Sequence, residues 1–101
     1  MTDQLQELRE QIQAIDADLV RIMQKRIEIV LKIGLYKEKY GIAVRDQSRE
    51  EQVIEHVLSL PHEPMDSLAL KNLFKYIMKI CRDSQHLLMG HSDHNFEEAD
   101  F

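Results

Sequence analysis

From Leu5 to Tyr40, apolar residues recur at Leu5, Leu8, Ile12, Ile15, Leu19, Ile22, Ile29, Ile33, Tyr36 and Tyr40. The steps alternate between three and four, the spacing that puts one stripe along an α-helix. The run holds no proline and a single glycine, Gly34, and Asp3 precedes it as a candidate N-cap. These features predict one continuous helix of ~36 residues and ~54 Å. A compact monomer of a hundred residues is only about 30 Å across. The 61 residues that follow cannot cover such a stripe alone, so the pattern predicts self-association as an intertwined homodimer. One beat of the stripe is broken. Between Ile22 and Ile29 the expected apolar residue is Arg26, and a guanidinium on a buried seam calls for an anion.

A chain of 101 residues makes one small domain, which a core shared between two copies would stabilise. Its net charge of -5 and pI near 5.5 argue against nonspecific binding to nucleic acid or a membrane surface, where a basic excess is the usual footprint. Met1 to Asp3 leads straight into the helix without a basic start, an apolar signal core or a long uncharged run, so the expected location is the cytoplasm. A single cysteine, Cys81, forms no internal disulfide, and no CxxC pair suggests zinc.

The basic residues of the first helix convert into geometry at 1.5 Å and about 100° per residue. Arg26 and Lys37 fall on nearly one face, ~16 Å apart, so their long side chains reach toward one small anion between them. Arg9 lies ~25 Å from Arg26 and is rotated by ~100°, too far to share that anion within one chain. If Arg9 touches the same ligand, a partner chain supplies it; otherwise it is a solvated flank residue. Gly34 weakens the helix by roughly 1 kcal/mol relative to alanine, which suggests close packing of a helix or ligand against its backbone.

The period lapses at Gly41, and a second helix is expected from Asp46 or Ser48 as N-cap to about Leu60, with Val53, Ile54, Val57 and Leu58 inward. Its first turn turns Asp46, Arg49 and Glu50 toward the same interior, either as part of a site or as a cap with a surface ion pair. Pro61 to Pro64 connects to a third helix, capped by Asp66 or Ser67 and reaching about Leu88. Its predicted inward stripe is Leu70, Leu73, Phe74, Ile77, Cys81 and Leu88, with Gln85 at a position due to be apolar. Lys71, Lys75, Lys79 and Arg82 read as solvated charge. Cys81 reads as a core residue rather than a nucleophile, because no histidine is spaced to activate it. Residues 1–90 thus form an all-α three-helix domain, and residues 91–101 an acidic tail expected to be disordered. The histidines His86, His91 and His94 lack paired helical spacing, so no metal site is expected.

The residues that interrupt the stripes are Arg26, Lys37, Arg49, Glu50 and Gln85, with Arg9 if a second chain brings it. They make a cationic interior suited to a small dianion, without a paired nucleophile and base, a metal-ligand set or a phosphate-binding glycine loop. Here the chain closely resembles the all-helical chorismate mutases of the AroQ class, through Leu8-Arg9-Glu10, Ile12, Ile15-Asp16, Leu19, Arg26, Ile33-Gly34, Lys37, Val44-Arg45-Asp46, Arg49-Glu50 and Gln85.

The resemblance implies a cofactor-free homodimer that rearranges chorismate to prephenate in aromatic amino acid biosynthesis. It implies Lys37 and Gln85 as donors to the breaking ether bond, and Arg26 with the partner chain's Arg9 as the clamp on two carboxylates. Glu50, with Asp46 beside it, would meet the ring hydroxyl, and Arg49 would support the anionic groups. Cys81 stands where relatives often carry a small hydroxyl, and so would make one weaker contact to a carboxylate. The alternatives are an isochorismate pyruvate lyase or aminodeoxychorismate mutase with the same pocket, and a non-catalytic helical module that regulates a partner enzyme of the pathway. The intact Val44-Arg45-Asp46 and Arg49-Glu50 segments look more like the mutase.

Overall fold

A computed structural model describes residues 2–42 and 46–89, with side-chain surroundings for 3–42 and 46–87. Three helices follow one another: α1 (Thr2–Tyr40), α2 (Gln47–Ser59) and α3 (Ser67–Met89). No strand occurs among the described residues, and the fold is the all-α arrangement expected. Val44, Arg45 and the predicted tail over 91–101 lie outside the described residues.

The helix ends follow from local chemistry. At the end of α1, Gly41 adopts a φ of +64°, which glycine reaches without a Cβ penalty. Its left-handed turn lets Ile42 N–H bond the Lys37 carbonyl at 2.9 Å and Gly41 N–H approach the Glu38 carbonyl at 3.4 Å. Both bonds satisfy carbonyls that the helix itself leaves unpaired. Of the two candidate caps for α2, Asp46 fills the role: its carboxylate accepts from Arg49 N–H at 3.1 Å. Asp66 does the same for α3, accepting from Ala69 N–H at 3.2 Å.

α3 packs on both other helices, while the backbones of α1 and α2 do not approach one another. Val30 of α1, Val53 of α2, and Met78 and Cys81 of α3 form the buried cluster, flanked by Ile27, Ile54, Phe74 and Ile77. Gly34 is buried on the same face of α1, in keeping with the close packing expected there. Leu73, expected inward, is 45% exposed. Its neighbours Phe74 and Met78 face the core instead, because the contact line of α3 runs through 70, 74, 78, 81 and 85.

Only the second half of α1 takes part. The line that meets α3 is Met23, Ile27, Val30, Gly34 and Lys37, which is the predicted stripe moved on by one residue, about 100° around the helix. The predicted stripe itself stays largely uncovered: Leu5, Leu8, Ile12, Ile15, Leu19, Ile22 and Ile29 are each 50–60% exposed. α1 therefore carries two apolar lines, one used inside the chain and a longer one facing outward. The chain is correspondingly drawn out, 60 × 27 × 21 Å.

Candidate active site

Two side-chain contacts establish how α1 and α3 lie together. Arg26 Nη1 donates to Cys81 Sγ at 3.0 Å, and Gln85 Nε2 donates to the Val30 carbonyl at 2.9 Å. Each pair is separated by 55 residues, so the two helices run parallel, with one turn of α1 stepping alongside one turn of α3. The register brings Arg26, Cys81 and Gln85 into one column. Lys37 lies two turns beyond Val30 on the same line, half-buried. A helical side chain leans back toward the N-terminus of its helix, which directs the Lys37 stem toward the Gln85 end of the column.

Gln85 is only 2% exposed. Its Nε2 is held by Val30, and its Oε1 has no hydrogen-bond partner among the described residues. A primary amide nitrogen carries two N–H groups, so one anchors the side chain while the other is left to point elsewhere. A buried amide of this kind destabilises a simple core by about 1–3 kcal/mol for each unpaired group, a cost expected where the group serves a ligand.

Arg26 belongs to the outward stripe by spacing but is half-buried, because its guanidinium folds across to the sulfur of Cys81. It thus stands at the border between the interior of the chain and the uncovered face. Cys81 is fully buried. Burial pushes its thiol above the ordinary value of 9.0; the charge and hydrogen bond of Arg26, and the charge of Arg82, oppose this without reversing it. The thiol is therefore neutral near pH 7 and a weak acceptor, a hold that a carboxylate readily displaces. Alkylation of Cys81 at pH 7 should accordingly be slow in the folded protein and fast after unfolding in denaturant. Equal rates in the two states would mean that the sulfur is neither buried nor neutral.

Across α2, Asp46 and Arg49 are exposed and Glu50 is half-buried. Glu50 Oε1 accepts from Arg82 Nη1 at 3.4 Å. This corrects the expectation that Arg82 is solvated charge. Arg82 shares a turn with Cys81 and Gln85, and the antiparallel approach of α2 brings a carboxylate over it. A groove of about 420 Å³ between α2 and α3, lined by Glu50, Glu51, Ile54, Glu55, Lys71, Lys75 and Met78, lacks the cationic excess a dianion needs. The column around Arg26 has it.

Arg9 joins none of these. It is exposed and sits among Leu5, Leu8, Ile12 and Gln13 on the uncovered face of α1, ~25 Å down the axis from Arg26. One chain thus gathers Arg26, Cys81, Gln85, Arg82 and Glu50, holds Lys37 above them and Asp46 and Arg49 at the edge, and leaves Arg9 apart.

Residues 8–86 match the family model described as chorismate mutase type II. The chain is 28% identical over 83 residues to a bifunctional chorismate mutase/prephenate dehydratase of Aquifex aeolicus, covering 78% of this chain and 23% of that protein. It is 33% identical over 54 residues to the T-protein of Enterobacter agglomerans, covering 54% of this chain and 14% of that one. The chain spans less than a quarter of the length of either relative.

Proposed function

Because the chain belongs to the chorismate mutase type II family, we propose that it converts chorismate to prephenate, working as a homodimer whose two sites each combine residues of both chains. The observation that carries this reading is the column at the α1–α3 contact: a half-buried guanidinium, a buried amide anchored to the Val30 carbonyl through one of its two N–H groups and a lysine two turns beyond. Such a site can bind and polarise a dianion, and the 3,3-sigmatropic rearrangement of chorismate asks for nothing more. No proton need be moved and no covalent intermediate forms.

The roles follow from where charge sits. Chorismate carries two carboxylates, and its reactive form has the enolpyruvyl arm folded over the ring. Arg26 leaves Cys81 for one carboxylate, and Arg9 of the partner chain takes the other, so that the arm is held in the reactive geometry. As the ether C–O bond breaks and the new C–C bond forms, negative charge grows on the ether oxygen. Lys37 and the second N–H of Gln85 are the donors aimed there, and they act on the transition state more strongly than on the substrate. Glu50 accepts a hydrogen bond from the ring hydroxyl, with Asp46 beside it, and Arg49 balances the anionic groups.

The dimer is supported by the outward stripe of α1. Seven of its leucines and isoleucines, all but Ile33, are about half exposed, and covering the rest is worth on the order of 1 kcal/mol apiece. A second copy of α1 laid along the first covers the stripe and carries Arg9 toward the other chain's Arg26. The pathway setting and a partner enzyme are supported by the name of the Aquifex aeolicus relative, which joins a chorismate mutase to a prephenate dehydratase. No helix among the described residues is long and apolar enough to cross a membrane, and the expected cytoplasmic location accords with that.

The test is to incubate the purified protein with chorismate and, separately, with isochorismate, and to identify the products by chromatography. Prephenate from chorismate is expected. Salicylate and pyruvate from isochorismate, with chorismate untouched, would make the chain a lyase, and no turnover of either would leave a regulatory module.

Gln85→Glu tests the donor assignment. The new carboxyl would sit buried against the Val30 carbonyl, where desolvation and the carbonyl dipole both disfavour its charged form, so its pKa rises. Protonated, it has one O–H that can turn to the ether oxygen in place of the amide's second N–H, at the expense of the bond to Val30; ionised, it repels that oxygen. Activity of Gln85→Glu should therefore climb as pH falls from 8 to 5, while the wild type varies little. A variant equally active across that range would remove Gln85 from the reaction.

A further inference from the structure

Glu50 has been given a task that a flexible glutamate on the first turn of a helix performs poorly unless something orients it. The α2 turn that carries Asp46, Arg49 and Glu50 follows directly on the loop from α1, and the α1 and α2 backbones do not pack on each other. Of its three charged residues, Asp46 is occupied in capping α2 and Arg49 is exposed. Only Glu50 reaches a facing helix, at Arg82. Both side chains of that pair are partly covered, at 21% and 32% exposure, and Arg82 adds its charge to the surroundings of Cys81. Arg82 therefore lies between the hydroxyl-binding carboxylate and the end of the column where Arg26 is held.

From this juxtaposition we infer that Arg82 is a positioning residue of the reaction: its guanidinium aims Glu50 at the ring hydroxyl and holds the first turn of α2 against α3. The inference rests on the proposed mutase reading. Both side chains of the pair keep some access to solvent, so Glu50 stays partly hydrated when the guanidinium is removed, and the fold should survive that loss. Its geometric effect is larger, because a displacement of about 1 Å in a positioning group can slow a reaction by up to roughly 100-fold.

The experiment compares wild type, Arg82→Gln, Arg82→Lys, Glu50→Gln and the double variant, assayed on chorismate and on its analogue with hydrogen in place of the ring hydroxyl. Arg82→Gln keeps a long polar stem but removes the charge, and should lower kcat/KM for chorismate by about 10-fold. Arg82→Lys should recover part of the loss, and in the Glu50→Gln background Arg82→Gln should cost nothing further. With the analogue, wild type and Arg82→Gln should react alike. Unchanged kcat/KM in Arg82→Gln would overturn the inference, as would an equal loss with Glu50→Gln already present or an equal loss on the analogue. If Arg82→Gln fails to fold, Arg82→Lys must show a chorismate-specific loss that disappears with Glu50→Gln, and the inference falls without it. Wild-type protein inert toward chorismate would instead defeat the mutase reading, and this inference with it.

Discussion

Replacing Lys37 with alanine is expected to lower kcat/KM for chorismate by roughly 100- to 1,000-fold, the usual effect of removing one preorganised donor from a developing oxyanion. The helix should survive. Lys37 lies in the last turn of α1, where a cation stabilises the helix terminus by about 0.3–1 kcal/mol, and its carbonyl still accepts the closing bond from Ile42. A stability change of that size cannot account for a loss equivalent to roughly 2.7–4 kcal/mol in the barrier. Circular dichroism and a thermal melt beside the kinetics separate the two effects. Near-normal turnover in Lys37→Ala would take the ammonium out of the mechanism, and an unfolded variant would show that its role is structural.

How much of this could be read beforehand varies with the physical origin of each feature. Helix α1 is legible because its three-and-four spacing persists over the whole stretch, and its end is legible because glycine is the residue that tolerates the φ found at Gly41. Gln85 stands out for a similar reason: an amide in an apolar line has to be satisfied by something. The identity of the line that meets α3 was not legible. The spacing at Leu5 to Tyr40 and the spacing at Met23, Ile27, Val30 and Gly34 differ by a single residue, and periodicity does not say which belongs to the chain itself and which to a partner.

Arg82 shows a second limit. Spacing within α3 places it beside the core line, as it does many solvated arginines. Its meeting with Glu50 depends on how α2 folds back over α3, and that register is set by the packing of Val53 and Met78 into one cluster, not by any local pattern. The broken stripes and the resemblance to a known family both pointed to Arg26, Lys37, Glu50 and Gln85, and neither pointed to Arg82. Asp46 illustrates the reverse case: the acid was legible as a cap, and the capping bond from Arg49 N–H is what the fold contains.

The central claim is that each site joins Arg26 of one chain to Arg9 of the other, because within a chain the two stand ~25 Å apart along one rigid helix. Arg9→Ala and Arg26→Ala homodimers should each be nearly inactive, since both of their sites lack a carboxylate clamp. Pairing the two variants changes this. In a mixed dimer the Arg9→Ala chain supplies an intact Arg26 and the Arg26→Ala chain an intact Arg9, so one site is whole and the other lacks both. Random pairing makes about half the dimers mixed, and about a quarter of wild-type activity should therefore return when equal amounts are unfolded and refolded together. Either variant refolded alone should regain none. A refolded mixture that contains mixed dimers by native mass spectrometry, yet remains as inactive as its parents, would show that Arg9 and Arg26 do not meet across an interface and would contradict the shared site.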